Sequence, residues 1–263
     1  MNIFVRTLRD RRAALGWWLL GLIVYCGFIV AVWPVIDGNN EFGDLYADMP
    51  EAFQAMFGSD GFSDFTSPVG FATTYLFSMI LPFILTGLAV SMGASVLAGE
   101  EEDGLVELVL AYPVRRRRLV VEKALAIATA VGGVGLAVSL FLALAREPVS
   151  LDLGMAGLLS ATLGSVLFAT THGMIALCVG AWQGSKGAAT GAAWGLALAG
   201  YLLNILANLD EKLEGLRYAS PLYWATAGDP LDGNLPATYS VLVGAFVGLL
   251  VLAVALFERH DLK

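Results

Sequence analysis

Charge is what this chain has least of. Of its 263 residues only 14% are Asp, Glu, Lys or Arg, where a soluble domain carries about a quarter, and 57% are hydrophobic. The few charges cluster and leave runs of roughly 20 residues with none or one, the pattern of membrane-spanning segments. That excludes a soluble domain and points to an integral membrane protein of one membrane domain. Cysteine is nearly absent: Cys26 and Cys178 both lie in apolar runs, so no disulfide framework is implied. Proline is rare inside the runs, with only Pro82 well within one. No Walker A sequence is present; the nearest stretch, Gly180 to Lys186 (GAWQGSK), lacks the Gly-Lys pair and sits at a membrane edge. Nor is there a His-Glu-x-x-His, a paired-cysteine or a nucleophile motif. The chain therefore offers no catalytic, metal-ligating or cofactor-binding candidates, and it is not expected to be an enzyme by itself.

What is present is six apolar runs: 15–36, 71–98, 119–145, 157–182, 188–209 and 239–257. At ~1.5 Å per residue each covers a hydrocarbon core of about 30 Å. Backbone polar groups in lipid must be paired internally, so these runs are helices. The first is too long for a signal-peptide core and lacks a small-residue cleavage site, so it is a retained span. The expected fold class is all-α integral membrane: six transmembrane helices, an N-terminal interfacial helix and a cytoplasmic coupling helix in a single domain over 1–263.

The net charge of −8 says little globally, because the acids concentrate in a few segments. Lys and Arg set the orientation. Twelve of the fifteen, from Arg6–Arg12, Arg115–Lys123, Lys186 and the C-terminus, fall on one side of the six runs. Both termini are thus expected in the cytoplasm of a bacterial cell, with the chain multi-pass in the cell membrane. Residues 37–70 and 210–236 are then the long outer segments. The first has seven acids and no Lys or Arg, with Leu45, Met49, Phe53, Met56 and Phe57 at helical spacing. A surface helix capping the bundle is preferred there over a substrate lid. The second carries Tyr218, Tyr223 and Trp224, suited to an interfacial aromatic belt. Residues 1–13, basic with Ile3, Phe4 and Leu8 on one side, fit a helix at anionic lipid headgroups or a plain positive-inside signal.

The densest charge lies at Gly99–Lys123, GEEEDGLVELVLAYPVRRRRLVVEK. Leu105, Leu108, Val109 and Tyr112 recur at helical spacing, so 104–112 is expected to form a short helix with one apolar face. Gly104 permits a sharp start and Pro113 ends the helix. Glu100 to Asp103 precede its N-terminus and the arginines follow its C-terminus, both favourable to the helix dipole. The arginine run by itself reads as a topogenic or lipid-binding feature; pressed against the membrane, it is a poor nucleic-acid site.

This segment resembles the coupling region of ABC-2 type transporter permeases, the membrane subunits of many bacterial ABC exporters. Their pattern is approximately an acidic run, G-T-L-E-L-L-L, a spacer and P-V-S-R, with a Lys or Arg entering the next span. Glu100, Glu101, Glu102, Gly104, Glu107, Leu108, Leu110, Pro113, Val114, Arg116 and Lys123 stand at matching positions. Leu105, Val106, Val109 and Arg115 depart from it. The layout of a basic N-terminal helix, six spans and a long first outer loop is similar as well. The resemblance implies an ATP-driven exporter of a hydrophobic or amphipathic compound: a drug, antibiotic, lipid or peptide. It implies a separate ATPase subunit in two copies, which binds the ATP and Mg, and a second permease half, identical or homologous. Membrane lipids would surround the whole. The residues it assigns to ATPase coupling are Glu101, Glu102, Gly104, Leu105, Glu107, Leu108, Tyr112, Pro113 and Arg116.

His172, beside Thr170 and Thr171, is the one ionisable residue well inside a span and a candidate for the substrate path. A neutral histidine bonded between helices is the preferred reading. Gly187, Gly191 and Gly195 form a double small-xxx-small ridge, read as intrachain packing ahead of a dimer interface. Two rivals to the transporter reading stand: an ATPase-independent secondary transporter or channel, and a membrane scaffold. The first would favour buried ionisable groups or broken helix pairs.

Overall fold

The computed structural model describes residues 3–37, 67–104 and 115–259. Six helices among them are long and apolar enough to cross a membrane: α1 Ile3–Ile36, α2 Pro68–Glu102, α3 Arg116–Ala145, α4 Met155–Gln183, α5 Lys186–Leu209 and α6 Tyr239–Arg259. No strand occurs among the described residues. The molecule is an all-α, multi-pass membrane protein.

α2 and α4 form the centre, with 72% of each apolar window buried, against 17% for α6. They lie side by side, with α3, α5 and α6 against α4 and α1 along α3. Small residues make the α2–α4 contact close. A Cβ built on Gly93 would meet the Gly173 carbonyl oxygen at 2.2 Å, and one on Gly173 would meet Ala89 Cβ at 2.9 Å. In lipid, where the bilayer is as apolar as a leucine, such van der Waals fit is what draws helices together.

α2 is not uniform. Pro82 has no N–H to give to the carbonyl four residues back, and its ring crowds that turn. The helix breaks there, with Met79 at φ −142° and ψ −54° before regular turns resume at Ile80. Two π-helical turns flank the regular part, Thr73–Phe77 and Ser95–Gly99.

The first helix corrects one expectation. No separate interfacial helix precedes it: Ile3–Ile36 runs unbroken. Ala13, Ala14 and Leu15 are strong helix formers and carry the turns from the arginines through the single weak position, Gly16, to Trp17. At ~1.5 Å per residue, its 34 residues span about 50 Å, beyond the core thickness. Ile3 and Thr7 are buried on the protein, so these turns dock on the bundle.

At the end of the bundle remote from the arginines, the chain between α5 and α6 folds into short pieces: Glu211–Ala219, Pro221–Thr226 and Pro230–Asp232. Tyr218, Tyr223 and Trp224 pack on one another with ring centroids 5.3–5.7 Å apart. The Arg217 guanidinium lies 5.2 and 5.1 Å from the two tyrosine rings. Most of the first outer segment, 38–66, lies outside the described residues. Cys26 and Cys178 are both buried and unpaired in disulfides, and the Cys178 thiol donates to the Leu249 carbonyl at 3.0 Å.

Candidate functional site: the charged end

α2 leaves the bundle through the π turn Ser95–Gly99 and a last turn, Glu100–Glu102, before Gly104 stops it at φ +69°, in the left-handed region. A π turn shifts the hydrogen-bond register by one residue and leaves a carbonyl to be satisfied otherwise. Here the Val96 carbonyl accepts from the Lys123 ammonium, one turn into α3 beyond Leu119. Lys123 also pairs with the Glu100 carboxylate, and its side chain is only 2% exposed. A buried ammonium needs such partners, because the loss of water is otherwise uncompensated.

The next two carboxylates face other helices. Glu101 lies over Gly184, where an added Cβ would stand 2.8 Å from its Oε1. Gly184 closes α4 in the left-handed conformation, φ +63°. Glu102 Oε1 accepts from the Lys186 backbone N–H at 2.8 Å, at the first turn of α5, where the helix dipole favours an anion. Ser185 caps the same helix, its hydroxyl oxygen accepting from Ala188 N–H.

α3 ties down the remaining ends. Arg116 donates to the Phe257 carbonyl at 3.2 Å and lies 5.8 Å from the Phe257 ring centroid, holding the last turn of α6. Glu122 accepts from the Phe4 N–H at 3.0 Å and from Arg118 Nε at 2.6 Å, which fixes the first turn of α1. A polar cavity of about 260 Å³ opens beside Glu100, lined by Thr7, Asp10, Arg11, Asp103 and Lys186 among others.

Of the coupling residues expected from sequence, Glu101, Glu102, Gly104 and Arg116 thus meet at one end of the bundle. Leu105, Glu107, Leu108, Tyr112 and Pro113, with the rest of the expected 104–112 helix beyond Gly104, lie outside the described residues. Sequence reasoning passed over Glu122, Gly184 and Phe257 as partners. The one usable signal was Lys123, a charge inside an apolar stretch, which in a membrane demands a partner.

His172 lies elsewhere, fully buried on α4. Its Nδ1 faces the Phe168 carbonyl at 2.9 Å, so this nitrogen carries the proton, and its Nε2 has no hydrogen-bond partner among the described residues. The bond stays within its own helix, which corrects the expected bond between helices. Phe168, Phe83, Trp194 and Tyr201 form the aromatic group around it. At the opposite end a cavity of about 360 Å³ lies between Val69–Phe77 and Ala225–Asp232, with Asp229 and Asp232 in its lining.

The glycine ridge of α5 also departs from expectation. Among the described residues, Gly191 and Gly195 have nothing within 4 Å of an added Cβ, and Gly187 only its neighbour Ser185 at 4.0 Å. The face that packs inside the chain carries Ala189, Ala193 and Ala197 instead. A model of the ABC-2 family transporter protein covers residues 1–262. The chain belongs to the ABC-2 transporter family. Among curated proteins none matches it. ABC-2 permeases are the membrane subunits of ABC transporters, a setting that includes an ATPase partner.

Proposed function

We propose that this chain is the permease half of an ATP-driven exporter, and that residues 104–112 form the coupling helix that a separate ATPase grips. The observation that carries this reading is the charged end. The two chain ends that flank 105–114 emerge together there, Glu100–Glu102 and Arg116 being bonded to the ends of neighbouring helices. The excess of Lys and Arg at that end supports a cytoplasmic location for it and for both termini in a bacterial cell membrane. Two ATPase copies, binding ATP and Mg, would then sit beneath two permease halves.

The second half, identical or homologous, has a place to sit. Among the described residues the Gly191 and Gly195 face of α5 meets nothing within 4 Å and would let another helix approach closely. The bundle's apolar wall and the half-apolar cavity at the far end suit a hydrophobic or amphipathic cargo. Full charges are scarce in the bundle interior, which disfavours a proton-driven relay. The deciding experiment is co-purification of the tagged chain with a Walker-containing ATPase. The double variant Glu107→Ala, Leu108→Ala should retain the folded permease and lose transport driven by that ATPase. Unchanged transport, or normal transport with every ATPase deleted, would end the reading.

A further inference from the structure

Three consecutive carboxylates close α2, and each one ends on a different helix. Glu100 pairs with Lys123 of α3, Glu101 covers Gly184 at the end of α4, and Glu102 accepts from Lys186 N–H at the start of α5. In the family resemblance such acids belong to the ATPase-facing flank. Their geometry here is inward. Resting on the function proposed above, we propose that Glu100–Glu102 are an internal clasp and that Lys123 is its positioning residue. The clasp fixes the two ends of segment 105–114 to four spans, so a push on that segment moves those spans together.

Three observations converge on it. Lys123 is 2% exposed, so its side-chain nitrogen is held by two protein partners in place of water. One of those partners, the Val96 carbonyl, sits in the π turn, whose shifted register leaves such a group in need of a donor. The pair also lies at a wet boundary, since the 260 Å³ cavity reaches Glu100 but not Lys123. The other charged groups lining this cavity are Asp10 and Arg11 of α1, Asp103 after α2, and Lys186 of α5. Long polar side chains with several such partners keep their contacts while helix ends tilt. Close-packed glycines cannot.

Hydrogen exchange on the full chain in lipid nanodiscs tests the clasp without any partner. Lys123→Met should speed exchange of amides 96–104 and 184–189 together, by tenfold or more, and leave the Gly93–Gly173 contact protected. Lys123→Arg, which keeps donors for both the Val96 carbonyl and the Glu100 carboxylate, should retain the protection that Lys123→Met loses. Exchange that rises only around 120–126, or a folded Lys123→Arg no better protected than Lys123→Met, overturns the proposal. If Lys123→Met does not fold, Glu102→Ala, which leaves no acceptor for the Lys186 N–H, serves instead: 184–189 should loosen while 96–99 stays protected, and no change at 184–189 refutes the clasp. With the ATPase present, Lys123→Met should bind it as the wild type does and lose the nucleotide-driven exchange change at 184–189. Lost binding would place Lys123 in the docking surface and overturn the clasp. An ATPase that fails to bind even the wild type sinks the function proposed above and leaves the exchange result to decide the clasp.

Discussion

The two ends of this bundle are held by different forces. At the charged end, helix termini are joined by long side chains: Lys123 to Glu100, Glu102 to the α5 backbone, Arg116 to the Phe257 carbonyl and Glu122 to Phe4. At the opposite end, contacts are short and steric. A Cβ on Gly164 would stand 2.3 Å from the Ala225 carbonyl oxygen and 2.6 Å from Tyr239 Oη. Tyr239 donates to the Ser160 carbonyl at 2.9 Å, and Tyr218, Tyr223 and Trp224 pack ring on ring. Polar side chains with several torsions tolerate angular change, whereas close-packed backbone does not. One end is built to give, the other to hold.

The largest test of that contrast is Gly164→Leu. No rotamer relieves a clash with a backbone carbonyl, so the cost should be about 3 kcal/mol or more. Thermal unfolding followed by size exclusion should show little folded protein. Gly184→Ala at the charged end meets only the flexible Glu101 carboxylate, so it should lose ~1–2 kcal/mol from its left-handed backbone alone. A larger loss there than for Gly164→Leu would reverse the comparison. Tyr239→Phe removes one hydrogen bond to a buried carbonyl and should lower stability by about 1 kcal/mol, read as a modest drop in melting temperature. Smallest is Arg217→Ala. It removes a guanidinium from two tyrosine faces and from an exposed ion pair with Glu214 at 2.7 Å, so the drop in melting temperature should be the slightest of the four and shrink further in added salt.

Much of the fold was legible because bilayer thickness and backbone pairing leave little choice: an apolar run of the right length must be a helix. The break before Ile80 follows from Pro82 in the same way. Which helix lies at the centre was not legible. α6 is the most apolar span, with mean hydropathy 2.7, and the least buried, while α4 at 1.6 is 72% buried. Lipid and protein interior are equally apolar, so hydropathy does not separate them, and small residues such as Gly93 and Gly173 carry the signal instead. The glycine ridge of α5 shows the limit of that rule, since Ala189, Ala193 and Ala197 on the other face make the internal contact. At the charged end, the acids and arginines were visible as a cluster, but their partners were not. Pairing Lys123 with Val96 depends on a one-residue register shift near Ser95 that no residue type announces. His172 was visible as an oddity, but its self-contained bond to Phe168 depends only on i, i−4 spacing that every helical histidine shares.

Both thiols are sealed inside the protein, Cys26 at 0% and Cys178 at 5% exposure. The unaltered molecule is therefore a silent background for maleimide chemistry. Any single cysteine placed at a helix end, in a loop or along the α5 glycines will report its own surroundings, and topology can be mapped without first deleting native residues.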